Sequence, residues 1–213
     1  MESTATPITL PLPLDQITGL IFDLDGTLVD TRSINRAALD MILAAHDIDL
    51  TGVPRPPQGT AFTDWVRLLT DHGRLPSGMS PERFKKLGER AVIEQAALAP
   101  VIEPVAALAR WAHGLEPRLP AAVATGSSQP VAGALLTGGG LAGLFDAVIT
   151  REHVTHGKPA PDLFLAAADR LAVPPHACVV LEDTDLGFEA ARRAGMVAVD
   201  IRPYRELSCG PVT

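Results

Sequence analysis

Apolar positions along this chain fall into two patterns. Short unbroken runs recur at "GLIFDLD" from Gly19, "AAVATGS" from Ala121, "AVIT" from Ala147, "CVVLED" from Cys178 and "VAVDI" from Val197. Each has the length of a strand and lacks alternation, which suits a sheet covered on both faces. Between the later runs lie "PVAALARWAHG", "QPVAGALLTGGG", "DLFLAAADRLAV" and "LGFEAARRAGM", all with helical spacing of apolar residues. Strand and helix alternate, so the pattern predicts a parallel α/β sheet with right-handed crossovers.

The stretch 31–100 breaks that alternation. It has no strand-like run but three helical ones, "SINRAALDMILAAHD", "AFTDWVRLLTDHG" and "KKLGERAVIEQAALA", with Pro81 suited to a helix start and "LTGVPRPPQGT" as a Pro/Gly connector. The predicted organisation is therefore a Rossmann-like parallel-sheet core, 1–30 and 101–213, with a helical cap, 31–100, inserted after the first strand. The alternative is one elaborate crossover packed on the sheet. A cap predicts a gate hinged near Asp30–Ser33 and Ala99–Glu103 that excludes bulk water before chemistry. The Gly-rich "LLTGGGLAGLFD" follows no strand and reads as a helix end and loop rather than a phosphate cradle.

Composition removes several function classes. With 213 residues, 46% hydrophobic, 20% charged and 4% aromatic, the chain is an ordinary globular one. The net charge of −7 comes with no dense basic block, which argues against nucleic acid and anionic membranes as partners. The opening "MESTATPITLPLPLDQ" lacks a basic n-region and an apolar h-region, and no segment approaches the ~18 apolar residues of a spanning helix, so a cytoplasmic location is expected. Cys178 and Cys209 have neither a disulfide framework nor a metal spacing and read as two reduced thiols.

Candidate chemistry gathers at strand ends, where parallel sheets bind their ligands. Asp23 and Asp25 follow the first run, Thr125, Ser127 and Ser128 the second, Glu182 and Asp183 the fourth. So many acids at one crevice imply a cation, and hard oxygen donors point to Mg²⁺. With Lys158 in "HGKPAPD" they make a phosphate pocket in which one aspartate can attack phosphorus while the other, two positions on, moves the proton. Blander readings exist for each residue: an Asx-type turn at Asp23 and Asp25, a turn at Thr125, a surface lysine at Lys158, helix capping at Glu182, Asp183 and Asp185. His153 and His156 read as surface or loop residues, and Trp65 and Trp111 as core.

The motifs "DLDGT" from Asp23, "TGSS" from Thr125, "GKPAPD" around Lys158 and "EDTDLGFEAARRAGM" from Glu182 closely resemble, in order, the four motifs of the haloacid dehalogenase-like phosphohydrolase superfamily. The inserted helices resemble its beta-phosphoglucomutase-like branch, and "HGKPAPD" through "AGMVAVDIR" looks most like small sugar-phosphate phosphatases, including those acting on fructose 1-phosphate. The resemblance implies Asp23 as nucleophile and Mg²⁺ ligand and Asp25 as general acid/base and backbone-carbonyl ligand. It further implies Thr125 as phosphate donor, Lys158 as charge stabiliser, Asp183 as Mg²⁺ ligand and Glu182 as ligand or its support.

The sequence departs from the mutase pattern at three positions. Phe62, in "QGTAF", stands where a cap arginine is expected, Ser128 where a lysine is, and Asn35 where a mutase has a histidine. Holding a distal phosphate without those cations is implausible, so hydrolysis of a small phosphorylated metabolite by a monomer or homodimer is expected, with Ser127, Ser128, Asn35 and Phe62 touching the substrate. A phosphosugar mutase is the alternative. A phospho-acceptor receiver or a non-catalytic binding protein is a remote one.

Overall fold

The computed structural model describes residues 8–54 and 62–205. Five short strands, β1 (Gly19–Phe22), β2 (Ala121–Ala124), β3 (Ala147–Ile149), β4 (Cys178–Glu182) and β5 (Val197–Asp200), form one sheet in the order β3-β2-β1-β4-β5. All neighbours are parallel, with Leu20 opposite Ala121 on one side of β1 and Val179 on the other. β1 is the central strand, and the chain leaves it for β2 on one side and returns to β4 on the other. That reversal opens a crevice at the carboxyl ends of β1, β2 and β4.

The lack of alternation in the strand sequences reflects burial of both faces. Leu20, Phe22, Val123, Val179 and Leu181 join one core with α4 (Glu103–His113) and α5 (Gln129–Gly138). Ile21, Ala122, Ala124 and Val180 join the other with α6 (Asp162–Leu171) and α7 (Asp185–Arg193). The small residues of β2 let helices approach closely on both sides.

Before β2 come α1 (Arg32–Ala45), α2 (Phe62–Asp71) and α3 (Pro81–Gln95). Ser80 caps α3 by accepting the Arg83 amide at 3.1 Å, with Pro81 in the first turn. These helices share an apolar cluster of their own built from Leu39, Ile42, Leu43, Val66, Leu69 and Phe84. α1 and α3 also reach the main core through Ile34, Ala38, Ala91 and Val92. The outgoing and returning chain run side by side: Val29 bridges Val101 in antiparallel fashion, the Asp30 amide donates to the Pro100 carbonyl at 2.8 Å, and the Ile102 amide to Leu28 at 2.9 Å.

Several local expectations change. Trp111 is not core: it lies on the outer side of α4, 39% exposed, while Trp65 packs partly buried among the helices of 31–100. The cap of α7 is neither acid nor Asp185 but Thr184, whose hydroxyl accepts the Gly187 amide at 3.1 Å. A hydroxyl at that position frees the neighbouring carboxylates for other partners. The third strand stops at Ile149, one residue short of the predicted run. His153 and His156 are exposed. Cys178 is a buried free thiol pushed up to about 11 by burial, and Cys209 lies outside the described residues, as do Gln58 to Ala61 of "QGTAF". No described helix is long and apolar enough to cross a membrane. The last helix among the described residues, α8 (Arg202–Arg205), has no counterpart in the apolar periodicity.

Candidate active site

β1 delivers Asp23 to the crevice directly. The strand ladder continues one step past Phe22, where the Asp23 amide donates to Leu181 at 3.0 Å, so its backbone is held by the sheet itself. The side chain is only 7% exposed. Lys158 reaches it from the segment between β3 and α6, with Nζ 2.5 Å from Asp23 Oδ1 and 2.6 Å from Glu182 Oε2. The ammonium also lies 5.0 Å from the centre of the Phe164 ring, which shields it from water on that side.

These three charges perturb one another. Burial raises the Asp23 carboxyl to about 7; the Lys158 charge opposes this, and the nearby Glu182 and Asp25 carboxylates add to it. Burial works against the Lys158 ammonium, but the two carboxylates beside it outweigh that and hold its proton more tightly than in an ordinary lysine. The lysine is therefore cationic throughout the physiological range, while Asp23 is poised for further stabilisation by positive charge.

Glu182, the last residue of β4, is fully buried. Its Oε1 accepts the amides of Asp183 and Thr184, both at 3.0 Å, and the Thr184 hydroxyl at 2.8 Å, leaving Oε2 for Lys158. Room for it exists because residue 187 is glycine: a Cβ there would fall 2.0 Å from the Glu182 carboxyl carbon. Gly187→Ala is therefore expected to lower stability by about 1–3 kcal/mol, although alanine is the better helix former. Thermal denaturation reads this directly. A melting temperature at or above that of the wild type would show that Glu182 has space to move.

Asp23, Glu182 and Asp183 present oxygens within 4.8 Å of one another. Three carboxylates so close in a buried crevice repel unless cations intervene, and an all-oxygen donor set suits a hard divalent ion. The residues fit such an ion. Asp183 also accepts the Thr27 hydroxyl at 3.2 Å and is paired with Arg205, whose Nε donates to the Gly26 carbonyl at 2.7 Å.

Asp25 sits on the other side of the crevice. Its Oδ2 accepts the Ser127 hydroxyl at 2.7 Å and the Thr125 hydroxyl at 3.1 Å, and Thr125 in turn accepts the Ser127 amide at 3.0 Å. The turn after β2 thus fixes the direction of Asp25, with Thr125 tied to that carboxylate. Two acids two residues apart end in different settings, one against a lysine and carboxylates, the other against hydroxyls.

Asp23, Asp25, Thr125, Ser127, Lys158, Glu182, Asp183 and Arg205 line one cavity of about 510 Å³. Asn35 and Phe62 line it too, as does Ser128, so every sequence-predicted site residue meets there. Sequence reasoning missed Lys85 and Glu89 of α3, Arg151 after β3, and Arg205, which share the same walls. For Arg151 a signal existed, since it stands two residues beyond a strand end. For Arg205 no motif or spacing pointed to the site.

Comparison with known proteins agrees with this arrangement. The model of the haloacid dehalogenase-like hydrolase family matches residues 17–195. The fructose-1-phosphate phosphatase YqaB of Escherichia coli is 37% identical over 196 residues, covering 88% of this chain and 98% of that protein. Hexitol phosphatase A of the same organism is 30% identical over 181 residues, covering 83% and 79%. Among solved structures, CbbY from Rhodobacter sphaeroides in complex with phosphate superimposes with a TM-score of 0.69 at 25% identity, covering 85% of this chain and 84% of that one.

Proposed function

This chain belongs to the haloacid dehalogenase-like hydrolase family, and from that premise we propose that it is a Mg²⁺-dependent phosphatase of a small phosphomonoester, a sugar or polyol phosphate, acting through an aspartyl-phosphate on Asp23. The observation that carries this reading is the division of the two acids: Asp23 lies 2.5 Å from a buried lysine within a carboxylate cluster, whereas the Asp25 carboxylate accepts from two hydroxyls of the turn after β2. The names of the relatives, fructose-1-phosphate phosphatase and hexitol phosphatase, support the substrate class.

In the proposed reaction a carboxylate oxygen of Asp23 forms a bond to phosphorus as the bond to the ester oxygen breaks, and Asp25 gives its proton to the departing alkoxide. Asp25 then takes a proton from water as that water attacks the phosphoryl group, releasing inorganic phosphate and restoring Asp23. Lys158 orients the Asp23 carboxylate and stabilises negative charge on the phosphoryl oxygens. Asp23, Asp183 and the Asp25 backbone carbonyl would hold Mg²⁺, with Glu182 supporting them or joining them; the ion supplies positive charge to the phosphoryl group. Residues 31–100 act as a cap on the core formed by 1–30 and 101–213, turning about the paired crossings near Val29 and Val101.

The test is phosphate release from a panel of sugar and polyol phosphates, with EDTA and with Mg²⁺. EDTA is expected to suppress release by at least about a hundredfold, with recovery on adding Mg²⁺. Undiminished release in EDTA would overturn the metal assignment, and conversion of a sugar phosphate to an isomer without free phosphate would favour a mutase.

A further inference from the structure

Two polar groups on the cavity wall lack partners among the described residues. Ser128 is 3% exposed, and its Oγ has no hydrogen bond. It occupies the N-cap of α5, where a serine hydroxyl ordinarily accepts an amide of the first turn, yet it makes no such bond, and Pro130 removes one of those donors. A buried hydroxyl left so is destabilising. Lys85 on α3 is half-buried against the same cavity, and among the described residues it makes no hydrogen bond or ion pair.

The same cavity wall carries a salt bridge between α3 and the segment after β3. Arg151 Nη2 is 2.5 Å from Glu89 Oε1, with the side chains 33% and 24% exposed, and the Arg151 amide donates to the Ser127 carbonyl at 3.3 Å. Lys85, Gly88, Glu89 and Val92 occupy one face of α3 at helical spacing, and all line the cavity. Gly88 leaves space for Phe62, whose ring would lie 2.1 Å from a Cβ at that position. The wall therefore offers an apolar side, a hydroxyl, donors on Lys85 and Arg151, and one carboxylate acceptor.

That mixture matches hydroxyl groups, each both donor and acceptor, and mismatches a second phosphate, which only accepts. Charge agrees. The cationic and anionic side chains lining the cavity are equal in number. With Asp25 carrying the proton it gives to the leaving group, a divalent ion and one phosphate dianion leave a single positive charge in the cavity, too little to balance a second dianion beside Glu89.

We propose that Ser128, Lys85 and the Glu89–Arg151 pair form a subsite for an uncharged, polyhydroxylated group on the phosphate, and that Glu89 rejects substrates carrying a second phosphate. This deepens the phosphatase reading and rests on it. It moves the cap's part in specificity from Asn35 and Phe62 to the cavity-facing side of α3.

The experiment measures kcat/KM of the full chain and of Ser128→Ala, Lys85→Met and Glu89→Gln on glucitol monophosphate, fructose bisphosphate and p-nitrophenyl phosphate. The wild type is expected to favour the monophosphate over the bisphosphate by at least about tenfold. Glu89→Gln should shift that ratio toward the bisphosphate by about tenfold, because it removes the repelling charge and leaves Arg151 paired with Glu152 alone, at 3.3 Å. Ser128→Ala and Lys85→Met should each lower the ratio of glucitol monophosphate to p-nitrophenyl phosphate by about five- to tenfold. Ser128→Ala should do so without lowering the melting temperature, since no protein partner is lost.

A wild type preferring the bisphosphate, or variants that leave both ratios unchanged, would overturn the inference while the phosphatase reading stands. A Ser128→Ala variant that melts lower and slows all substrates equally would assign that hydroxyl to structure and overturn its place in the subsite. No phosphate from any of the three substrates would overturn the phosphatase reading and this inference with it.

Discussion

Asp23→Asn is expected to retain the fold and lose phosphate release by at least about a thousandfold. The amide has the shape of the carboxylate, but it cannot supply the oxygen nucleophile that forms an acyl-phosphate. The fold should tolerate the change because burial already disfavours the Asp23 charge, raising its carboxyl to about 7. Lys158 keeps its second partner, Glu182 Oε2, at 2.6 Å. The expected product is a protein with a melting temperature near that of the wild type and no turnover. Steady-state phosphate release with thermal denaturation on the same sample reads both. Turnover within about tenfold of the wild type would place the bond-forming atom elsewhere.

Lys158→Met should have the larger effect on stability. The side chain is 13% exposed, and the two carboxylates it bridges, Asp23 and Glu182, are 7% and 0% exposed. Methionine fills the stem of the lysine but leaves the acids facing one another, and breaking a buried pair in this way costs about 3–5 kcal/mol. The site can escape part of that cost by keeping Asp23 protonated, which abolishes its nucleophilicity. Activity should therefore fall by about a hundred- to a thousandfold. Because Mg²⁺ would supply the missing positive charge to the carboxylates, it should raise the melting temperature of the variant more than that of the wild type. Denaturation with EDTA and with Mg²⁺ tests this. Equal metal-induced shifts in the two proteins would show that Lys158 and the ion serve separate carboxylates.

Much of this site was legible because its chemistry is local. Asp23 and Asp25 are separated by one residue, Thr125, Ser127 and Ser128 fall within four positions, and Glu182 and Asp183 are adjacent. Each group directly follows an apolar run whose continuity announces a strand buried on both faces, so a shared crevice follows from the rule that parallel sheets open at their carboxyl ends. Lys158 belonged to the same set by its motif. Even the capping residue of α7 was one position from the acids considered for it, and the error came from treating capping and carboxylate duties as shared when Thr184 performs the first.

The face of α3 bearing Lys85, Gly88, Glu89 and Val92 was visible as helical spacing, but spacing alone does not say what a face looks at. Glu89 meets Arg151 across 62 residues of chain, and Arg205 meets Gly26 across 179. Such pairs depend on how the helices of 31–100 dock on α5 and where the last helix lies. Many side chains settle that docking together through close packing. The orphaned Ser128 hydroxyl is likewise a property of the assembled cavity: the sequence shows a serine before a helix, and only the packed structure leaves it without a partner. The sequence by itself determined the reactive centre, since periodicity and short-range spacing bring those groups to strand ends. The tertiary structure alone decided the walls around the substrate, since their residues come from distant segments joined only by packing.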